Sequence, residues 1–330
     1  MWFDADVSLD PIKNETVAVI GYGIQGHAQS NNIRDSGLNV VIADVKGSKG
    51  WDRAVSDGHK VYETAEAARI GDMVLVLVPD MLQASVFAEE IEPNLSKGKA
   101  LCFAHGASIH WGWVKPPEWV DVILVAPKAP GQRVREVYME GSGVPSLVAV
   151  QQNYTGRAWE RVLGLGKAIG SARVGLIETS FKEEVETDWF GEQVDLCGGV
   201  DRMVRLTFEV LAEAGYQPEV AYFECLHELK LIVDLIQRYG IAGMYRRVSE
   251  TARYGGLSRG GVVMSEAVKK SMKKLLKETQ SGMFAKEWVE VYGKEGVKAF
   301  EKYLKELDDH QIERVGRRLR SMMWPNEPVV

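Results

Sequence analysis

The sequence has few cysteines and no long hydrophobic run. Its 330 residues include three cysteines, Cys102, Cys197 and Cys225, which are widely spaced. Such an odd and sparse set offers neither a disulfide framework nor the ligand spacing of a zinc site, and it is typical of a reducing compartment. No apolar stretch reaches the roughly 20 residues that cross a bilayer, and the N-terminal residues lack the pattern of a signal peptide. We therefore expect a cytoplasmic protein with no membrane partner.

The sequence also has fewer positively charged than negatively charged residues. The 40 Lys and Arg residues are outnumbered by 46 Asp and Glu residues, which gives a formal net charge of −6. Since nucleic acids and anionic membranes attract basic surfaces, we expect no nucleic-acid partner. What remains is an ordinary globular composition, 45% hydrophobic and 26% charged, in a chain long enough for two domains.

A glycine-rich motif follows the first predicted strand. The β-branched run 16–20 leads into G-x-G-x-x-G and then a helix to about residue 34, and this setting suits a tight turn that approaches a pyrophosphate. A second strand, 39–43, ends at Asp44, roughly twenty residues downstream, where dinucleotide-binding sequences have an acidic residue. An ordinary glycine-rich turn is the alternative for the motif taken alone. The residues predicted to bind the cofactor here are Gly21, Tyr22, Gly23, Ile24, Gln25 and Gly26.

Strands and helices continue to alternate up to about residue 181. Further strands are expected at 73–78, 100–103, 122–125 and 144–150. This alternation predicts an α/β domain over 1–181, a doubly wound, Rossmann-type parallel sheet. Ligands of such sheets lie beyond the carboxyl ends of the strands. Alone, each polar residue at that edge is explained by a loop hydrogen bond, but together they favour a site: Asp80, His105, Lys128 and the neighbouring Gly131.

From 182 to 330 the hydrophobic period is helical, which predicts an all-α domain. Tyr254-Gly255-Gly256 is expected to interrupt a helix, and the residues after 306 are expected to form a basic tail. The predicted helices cover approximately 182–214, 218–239, 241–254, 261–280, 283–292 and 294–306.

Acidic residues recur at helical spacing in this second part. Glu184, Asp188 and Glu192 are four residues apart and share one helix face, and Glu224 and Glu228 repeat the spacing on an otherwise apolar helix. Carboxylates on an apolar helix are usually paired or bound to a metal. Oxygen ligands alone suit Mg²⁺ or Mn²⁺, so these residues favour a divalent cation site. Two solvated acidic faces are the alternative.

Taken together, the motifs resemble those of the short, class I ketol-acid reductoisomerases, the acetohydroxyacid isomeroreductases, over nearly the whole chain. The similar stretches are Gly-Tyr-Gly-Ile-Gln-Gly-His at 21–27, Val-Pro-Asp-Met-Leu-Gln at 78–83, Phe-Ala-His-Gly at 103–106, Val-Ala-Pro-Lys-Ala-Pro-Gly at 125–131, Glu-Thr-Ser-Phe-Lys-Glu-Glu at 178–184, Thr-Asp-Trp-Phe-Gly-Glu-Gln at 187–193, Tyr-Phe-Glu-Cys-Leu-His-Glu at 222–228 and Ser-Glu-Thr-Ala-Arg-Tyr-Gly at 249–255.

The resemblance implies a reaction in two halves on small keto-acid substrates. An alkyl group migrates in 2-acetolactate or 2-aceto-2-hydroxybutyrate, and a reduced nicotinamide then transfers a hydride to the new ketone. The product is a 2,3-dihydroxy-3-alkyl acid on the route to the branched-chain amino acids valine and isoleucine. The resemblance also implies a knotted helical domain and an obligate homodimer or higher homo-oligomer with a shared active site.

The resemblance assigns a role to individual residues. Asp188 would bridge two Mg²⁺ ions that act as Lewis acids, and Ser249 would bind the substrate carboxylate. Glu224, Glu228 and Ser249 would come from a second subunit. The implied catalytic residues are His105, Lys128 and Glu184; the other metal ligands are Glu192, Glu224 and Glu228; and the cofactor contacts beyond the glycine motif are Asp44, Ser48, Asp80, Met81, Leu82, Gln83 and Gly131.

Two stretches depart from the family pattern. NADPH-using relatives usually have Arg where Val45 stands and Ser where Gly50 stands, and an acid such as Asp44 repels a 2′-phosphate. The sequence therefore predicts a preference for NADH. NADPH is a second expected cofactor, because Lys46 and Lys49 lie in the same loop. In the other departure, Ala-Ser-Ile at 107–109 replaces the usual Phe-Asn-Ile, and the sequence predicts no particular effect.

Two other functions agree with parts of the sequence. A metal-free β-hydroxyacid dehydrogenase has a similar sheet and helices and would use Lys128 as its acid or base. A non-catalytic dinucleotide-sensing module would need only the glycine motif. Both leave the acidic residues of the helical part unexplained.

Overall fold

The computed structural model describes residues 1–325. The chain forms two compact units, Met1–Thr187 and a second that begins at Asp188. Their boundary falls within a helix, six residues beyond the boundary at 181/182 that the change of period predicts. Within the described range, no helix combines the length and the apolar character needed to cross a membrane.

The first unit contains one eight-stranded sheet with the strand order β3-β2-β1-β4-β5-β6-β7-β8. Its neighbouring strands are parallel except for β6 and β7, so the predicted sheet is confirmed but is not wholly parallel. Pro127 pairs with Ser146, which means that the intervening helix lies in a hairpin-like connection and does not cross the sheet. The strands are β1 (Thr16–Ile20), β2 (Asn39–Ala43), β3 (Lys60–Tyr62), β4 (Met73–Val76), β5 (Ala100–Phe103), β6 (Asp121–Pro127), β7 (Ser146–Gln152) and β8 (Leu176–Glu178).

Helices cover both faces of this sheet. Along β1, Val17 and Val19 belong to one apolar cluster while Ala18 and Ile20 belong to another, as expected for a strand buried on both faces. The helices of this unit are α1 (Ile24–Asp35), α2 (Lys49–Ser56), α3 (Thr64–Ile70), α4 (Asp80–Val86), α5 (Ala107–His110), α6 (Gly131–Met139) and α7 (Ala158–Ala168). Helix α8 (Phe181–Gly191) crosses the boundary between the units.

The second unit is helical, as predicted, but several helix bounds differ. The expected single helix over 182–214 is interrupted by a π-helical turn, Glu192–Leu196, and a second π-helical turn covers Phe223–His227. The predicted break between 239 and 241 is confirmed by a kink at Gly240, which has φ of 72° within α11. The predicted helix 241–254 is interrupted at 246–249, and the predicted helix 261–280 is divided at 264–265. The remaining helices are α9 (Gly198–Glu213), α10 (Pro218–Tyr222), α11 (Glu228–Tyr245), α12 (Glu250–Val263), α13 (Glu266–Gln280), α14 (Met283–Glu295), α15 (Glu301–Asp308) and α16 (Gln311–Met323).

Two of these differences have a clear physical reason. The glycines at 255 and 256 lie inside α12 and do not break it. Glycine is required at 256 because a Cβ there would lie 2.9 Å from Cε1 of the packed Tyr245 ring. The expected basic tail is largely helix α16. Its residues Ile312 and Leu319 are buried in the core of the unit, while Arg314 and Arg318 are exposed.

Candidate active site

The glycine motif forms the turn between β1 and α1, and glycine occupies each of its three positions for a different structural reason. Gly21 has φ of +100°, which favours glycine, and a Cβ on it would lie 3.0 Å from the Leu77 carbonyl. A Cβ on Gly26 would overlap the carbonyl oxygen of Gly21. Gly23 is exposed and has open space around its Cα. The turn therefore fits a diphosphate, because the glycine at the mouth of α1 leaves room for a ligand beside a helix N-terminus.

Tyr22 anchors this turn from behind. Its hydroxyl donates to Oδ2 of Asp57 at 2.7 Å and accepts from Nδ2 of Asn31 at 3.0 Å. Burial and the hydrogen bond to Asp57 raise the pKa of Tyr22 to about 12. His59 lies beside the same network, where burial and the nearby Arg34 lower its pKa to about 4. No sequence pattern predicts this network, since its members are scattered over the turn after β1, helix α1 and the loop between α2 and β3.

Asp44 lies at the end of β2, as predicted, and its carboxylate faces the glycine turn. The backbone N–H of Tyr22 donates to Oδ2 at 2.8 Å. The Ser48 hydroxyl and the N–H of Val45 donate to Oδ1 at 2.8 and 2.7 Å. Ser48 also caps α2, because its hydroxyl accepts from the N–H of Trp51.

The predicted residues 80–83 open helix α4 at the carboxyl edge of the sheet. Nε2 of Gln83 donates to Oδ1 of Asp80 at 3.1 Å, and the Ser108 hydroxyl donates to Oε1 of Gln83 at 2.7 Å. Nδ1 of His105 lies 3.8 Å from Oδ2 of Asp80. Ser108, whose effect the sequence did not predict, thus holds a side chain of the neighbouring loop. The other two members of this run, Met81 and Leu82, are partly buried and exposed, respectively.

Three sequence-predicted residues, His105, Lys128 and Glu184, come together at this edge. Glu184 is buried, with a side chain 1% exposed, and Nζ of Lys128 lies 2.8 Å from its Oε1. The N–H of Gly106 donates to Oε2 at 2.9 Å, and Nε2 of His105 lies 3.8 Å from the same oxygen. A buried carboxylate with a cation and a backbone donor is a charged site held in fixed geometry.

Gly131 opens α6 just beyond Lys128. A Cβ on it would lie 2.7 Å from the carbonyl carbon of Ile24, and Nε2 of Gln25 donates to the Ala129 carbonyl at 3.1 Å. The glycine therefore allows the loop after β6 to pack against the start of α1. Its contact with a cofactor stays a prediction.

The remaining predicted ligands lie on the helices that follow. Within α8, carboxylate oxygens of Glu184 and Asp188 lie within 4.8 Å of one another, one turn apart. Glu192 starts the first π-helical turn, Glu224 lies in the second and Glu228 begins α11. Among residues 1–325, these three glutamates join no group of three or more close potential ligands.

Ser249 is the N-cap of α12 and accepts from the N–H of Ala252 at 3.1 Å. The hydroxyl is exposed, so it can also donate to a ligand. The sequence placed Ser249 inside a helix, and the structure corrects this to the first position before one.

Fold and site together define a nicotinamide-dependent oxidoreductase with a Rossmann-type domain and an all-α unit. Residues 11–175 match the family model for the acetohydroxy acid isomeroreductase NADPH-binding domain, and residues 181–324 match that for the ketol-acid reductoisomerase C-terminal domain. The chain belongs to the ketol-acid reductoisomerase family. The resemblance seen in the sequence motifs is thereby confirmed.

Individual relatives agree with this assignment. The ketol-acid reductoisomerase (NADP(+)) of Cenarchaeum symbiosum is 65% identical over 99% of this chain and 98% of its own. The protein of the same name from Nitrosopumilus maritimus is 61% identical over 98% of each chain. The solved structure of an NADH-preferring ketol-acid reductoisomerase from an uncultured archaeon is 46% identical, with a TM-score of 0.94 over 97% of this chain and 98% of that one.

Proposed function

We propose that the chain is a Mg²⁺-dependent ketol-acid reductoisomerase of branched-chain amino acid biosynthesis that works in the cytoplasm. Its substrates are 2-acetolactate and 2-aceto-2-hydroxybutyrate, and its product is a 2,3-dihydroxy-3-alkyl acid. The observation that carries the proposal is the buried Glu184, held by Lys128 and Gly106 at the sheet edge, with Asp188 one turn further along the same helix.

The oxygen ligands of the helical part suit two magnesium ions. Asp188 and Glu192 would hold them together with Glu224 and Glu228, and all four offer the hard oxygen donors that Mg²⁺ prefers. Bound magnesium supplies Lewis acidity, which polarises the ketone and lowers the pKa of the neighbouring hydroxyl. Glu184 would orient water beside these ligands.

The other side chains would bind and stabilise the substrate. Lys128 places a positive charge at the sheet edge, where it offsets the negative charge that develops on oxygen as the alkyl group migrates. His105 would lie between cofactor and substrate, close to the carboxylates of Asp80 and Glu184. Ser249 would donate its exposed hydroxyl to the substrate carboxylate.

The cofactor is proposed to be NADH, with NADPH used less well. Reduced nicotinamide supplies the hydride. The open space at Gly23 suits the diphosphate, and the carboxylate of Asp44 at the end of β2 suits a free ribose hydroxyl. The names of two relatives state NADP(+), whereas that of the solved structure states a preference for NADH. The Asp44 carboxylate supports a preference for NADH in this chain.

A direct assay tests the reaction. NADH oxidation is followed with 2-acetolactate, with and without Mg²⁺, and then with NADPH. We expect turnover only with Mg²⁺ and a higher kcat/KM with NADH. Turnover that a chelator does not affect would favour the metal-free β-hydroxyacid dehydrogenase, and tight NADH binding without turnover would favour a sensing module.

The proposed homodimer has a sharper test. If Glu224, Glu228 and Ser249 complete the site of a second copy, Asp188→Asn and Ser249→Ala disable different halves of one site. Mixed dimers would then contain one intact site, so refolding the two inactive variants together is expected to restore about a quarter of the native activity. A mixture that stays inactive would contradict a shared site, and sedimentation of each variant checks that dimers form.

A further inference from the structure

Four side chains form a network of hydrogen bonds behind the glycine turn, here called the Tyr22 network: His59, Asn31, Tyr22 and Asp57. The Tyr22 hydroxyl donates to Oδ2 of Asp57 at 2.7 Å, and Nδ2 of Asn31 donates to that hydroxyl at 3.0 Å. Nδ2 of Asn31 also donates to the His27 carbonyl at 2.7 Å, so both protons of the amide are used. Oδ1 of Asn31 is therefore the atom that faces Nε2 of His59, 3.2 Å away.

The two ends of the Tyr22 network give its hydrogen bonds one direction. Burial lowers the pKa of His59 to about 4, so the imidazole keeps one proton at neutral pH. Oδ1 of Asn31 can only accept, which places that proton on Nε2 of His59. Arg34, whose Nη1 lies 3.3 Å from this nitrogen, donates to the backbone carbonyl of Asp57 at 2.6 Å. Each group donates to the next, from His59 to Asp57, and hydrogen bonds aligned in this way strengthen one another.

Tyr22 connects the network to both places where the cofactor is expected. The residue lies between Gly21 and Gly23 in the turn, and its backbone N–H donates to Oδ2 of Asp44 at 2.8 Å. Tyr22 is only 2% exposed, so the ring is fixed by packing as well as by its hydroxyl. The position of the hydroxyl on Asp57 therefore sets the position of the turn relative to the carboxylate at the end of β2.

From this arrangement we propose that Asp57, Asn31 and His59 are positioning residues for the dinucleotide. They act through Tyr22, which holds the diphosphate turn at a fixed distance from the carboxylate that faces the adenosine ribose. The proposal rests on the proposed function in one respect, the assignment of the turn to the diphosphate and of Asp44 to the ribose. It concerns the affinity for either nicotinamide cofactor alike.

Fixed spacing favours only a ligand that occupies both places. Such a ligand binds a site that is already arranged, so less conformational freedom is lost on binding. A ligand that occupies one place gains nothing from the distance to the other. NADH and ADP-ribose contain both the diphosphate and the adenosine ribose, whereas adenosine contains the ribose alone. The three ligands therefore separate a positioning role from a general contribution to stability.

The test begins with Tyr22→Phe, which removes the hydroxyl and keeps the ring and the N–H that contacts Asp44. We expect it to weaken the binding of NADH and ADP-ribose by about tenfold, and that of adenosine by no more than about twofold. The dissociation constant of NADH is measured by fluorescence titration, and those of the other two ligands by displacement of NADH. The measurement needs no substrate and no turnover.

Substitutions at the other members of the network test whether they act together. Asp57→Ala is expected to give the same pattern, and the double variant with Tyr22→Phe to bind no more weakly than either single variant, because both substitutions break one hydrogen bond. Asp57→Asn keeps an oxygen that accepts from the Tyr22 hydroxyl, so it is expected to regain most of the affinity for NADH and ADP-ribose. His59→Phe removes the first donor, and a smaller loss of the same pattern is expected.

Asp52→Ala is the matched control for the loss of one negative charge. Asp52 is an exposed acid in the first turn of α2, and its substitution is expected to leave all three dissociation constants unchanged. If Asp57→Ala does not fold, Tyr22→Phe and Asp57→Asn supply the comparison, since each changes few atoms.

The remaining results would overturn the proposal in two distinguishable ways. A native chain that binds NADH, with variants that weaken all three ligands equally or none of them, would reduce the Tyr22 network to a contribution to stability and leave the cofactor assignment intact. A native chain that binds neither NADH nor ADP-ribose would contradict the cofactor assignment under Proposed function, and the positioning role with it.

Discussion

Nζ of Lys128 lies 2.8 Å from Oε1 of Glu184, a carboxylate that is almost completely buried. The pair joins the loop after β6 to helix α8, and Gly106 completes it from the loop after β5. A buried charge is tolerated only when it is compensated in this way, so the three segments depend on one another. Removing Lys128 would leave the buried Glu184 carboxylate without its counter-charge, and removing Glu184 would do the same to the half-buried Lys128.

We expect Lys128→Met to lower the free energy of unfolding by about 1–3 kcal/mol, because it leaves the Glu184 carboxylate without its cation. Glu184→Gln, which removes the charge, is expected to recover part of that loss in the double variant. Urea unfolding of the two single variants and the double variant measures the coupling. Strictly additive losses would mean that the two charges do not support each other.

Asp188→Asn is expected to abolish turnover while NADH binding stays largely intact. The substitution keeps the size of the side chain but removes the charge that would bridge two magnesium ions. Activity is measured with acetolactate, and NADH binding by fluorescence. Asp195→Asn, on the first π-helical turn and exposed, is the control and is expected to retain activity. Equal loss of NADH binding in Asp188→Asn would argue for a misfolded chain.

Two glycines of the phosphate turn are expected to fail in different ways. Gly23→Ala adds a methyl group in open space, so the fold is expected to remain stable while affinity for NADH falls at least tenfold. Gly21→Ala must adopt φ of +100° against the Leu77 backbone, so it is expected to lower stability by about 1–3 kcal/mol. Thermal unfolding and NADH titration are measured for both. A Gly23→Ala chain that binds NADH normally would exclude this turn as the diphosphate site.

Ser108→Ala removes the hydroxyl that holds Gln83, and Gln83 in turn donates to Asp80. The buried amide oxygen then loses its donor, at a cost of about 1–3 kcal/mol in stability. We expect the KM for the cofactor to rise several-fold, more than kcat falls, since the loop at 80–83 is loosened. Ser85→Ala, an exposed serine of the same helix, is the control. Parallel changes in both variants would contradict a positioning role.

The free energy of unfolding is expected to decrease as the pH is lowered from about 6.5 toward 4. The folded chain keeps His59 neutral because its pKa is about 4, whereas an unfolded histidine takes up a proton near pH 6.5. The stabilisation from His59 is thus complete above pH 6.5. Urea unfolding at pH 7 and pH 5 should show a smaller difference in His59→Gln by about 1–2 kcal/mol. An unchanged difference would assign the pH dependence to other groups.

The sequence predicted the sheet because its signals are local. A β-branched run before G-x-G-x-x-G, and Asp44 at the end of the next strand, need no tertiary knowledge. The three-residue strands β3 and β8 were missed, since they are too short to show a period. The direction of β7 was also missed, because only its pairing with β6 reveals it.

The sequence suggests candidate site residues where their types and spacing are distinctive, and it does not suggest those that are defined only by a contact. His105 and Lys128 follow strands, so the sequence placed them at one edge of the sheet. Glu184 was predicted only as part of an acidic helix face, and its contact with those two residues is visible only in the structure. Nothing in the sequence distinguishes Ser108 from other serines, because its role depends on its hydrogen bond to Gln83. Gly50 was noted only as a departure from relatives, and its reason is the position of a carboxylate six residues earlier. The roles of the ligands on the later helices stay predictions.

The two π-helical turns of the second unit have a consequence for how this chain tolerates change in length. Each turn holds one residue more than the α-helical hydrogen-bond ladder accommodates, and the acidic positions Glu192 and Glu224 lie in them. Deleting a single residue within 223–227 would restore a regular ladder and leave the later side chains of α11 close to their present orientation, because the turn absorbs the extra residue. A deletion in the regular part of α11 would instead turn every later side chain by about 100° around the helix axis. Loss of one residue is therefore expected to disturb helix register least within these two turns and most in the regular helices beside them, which makes helix register a constraint on the evolution of the chain.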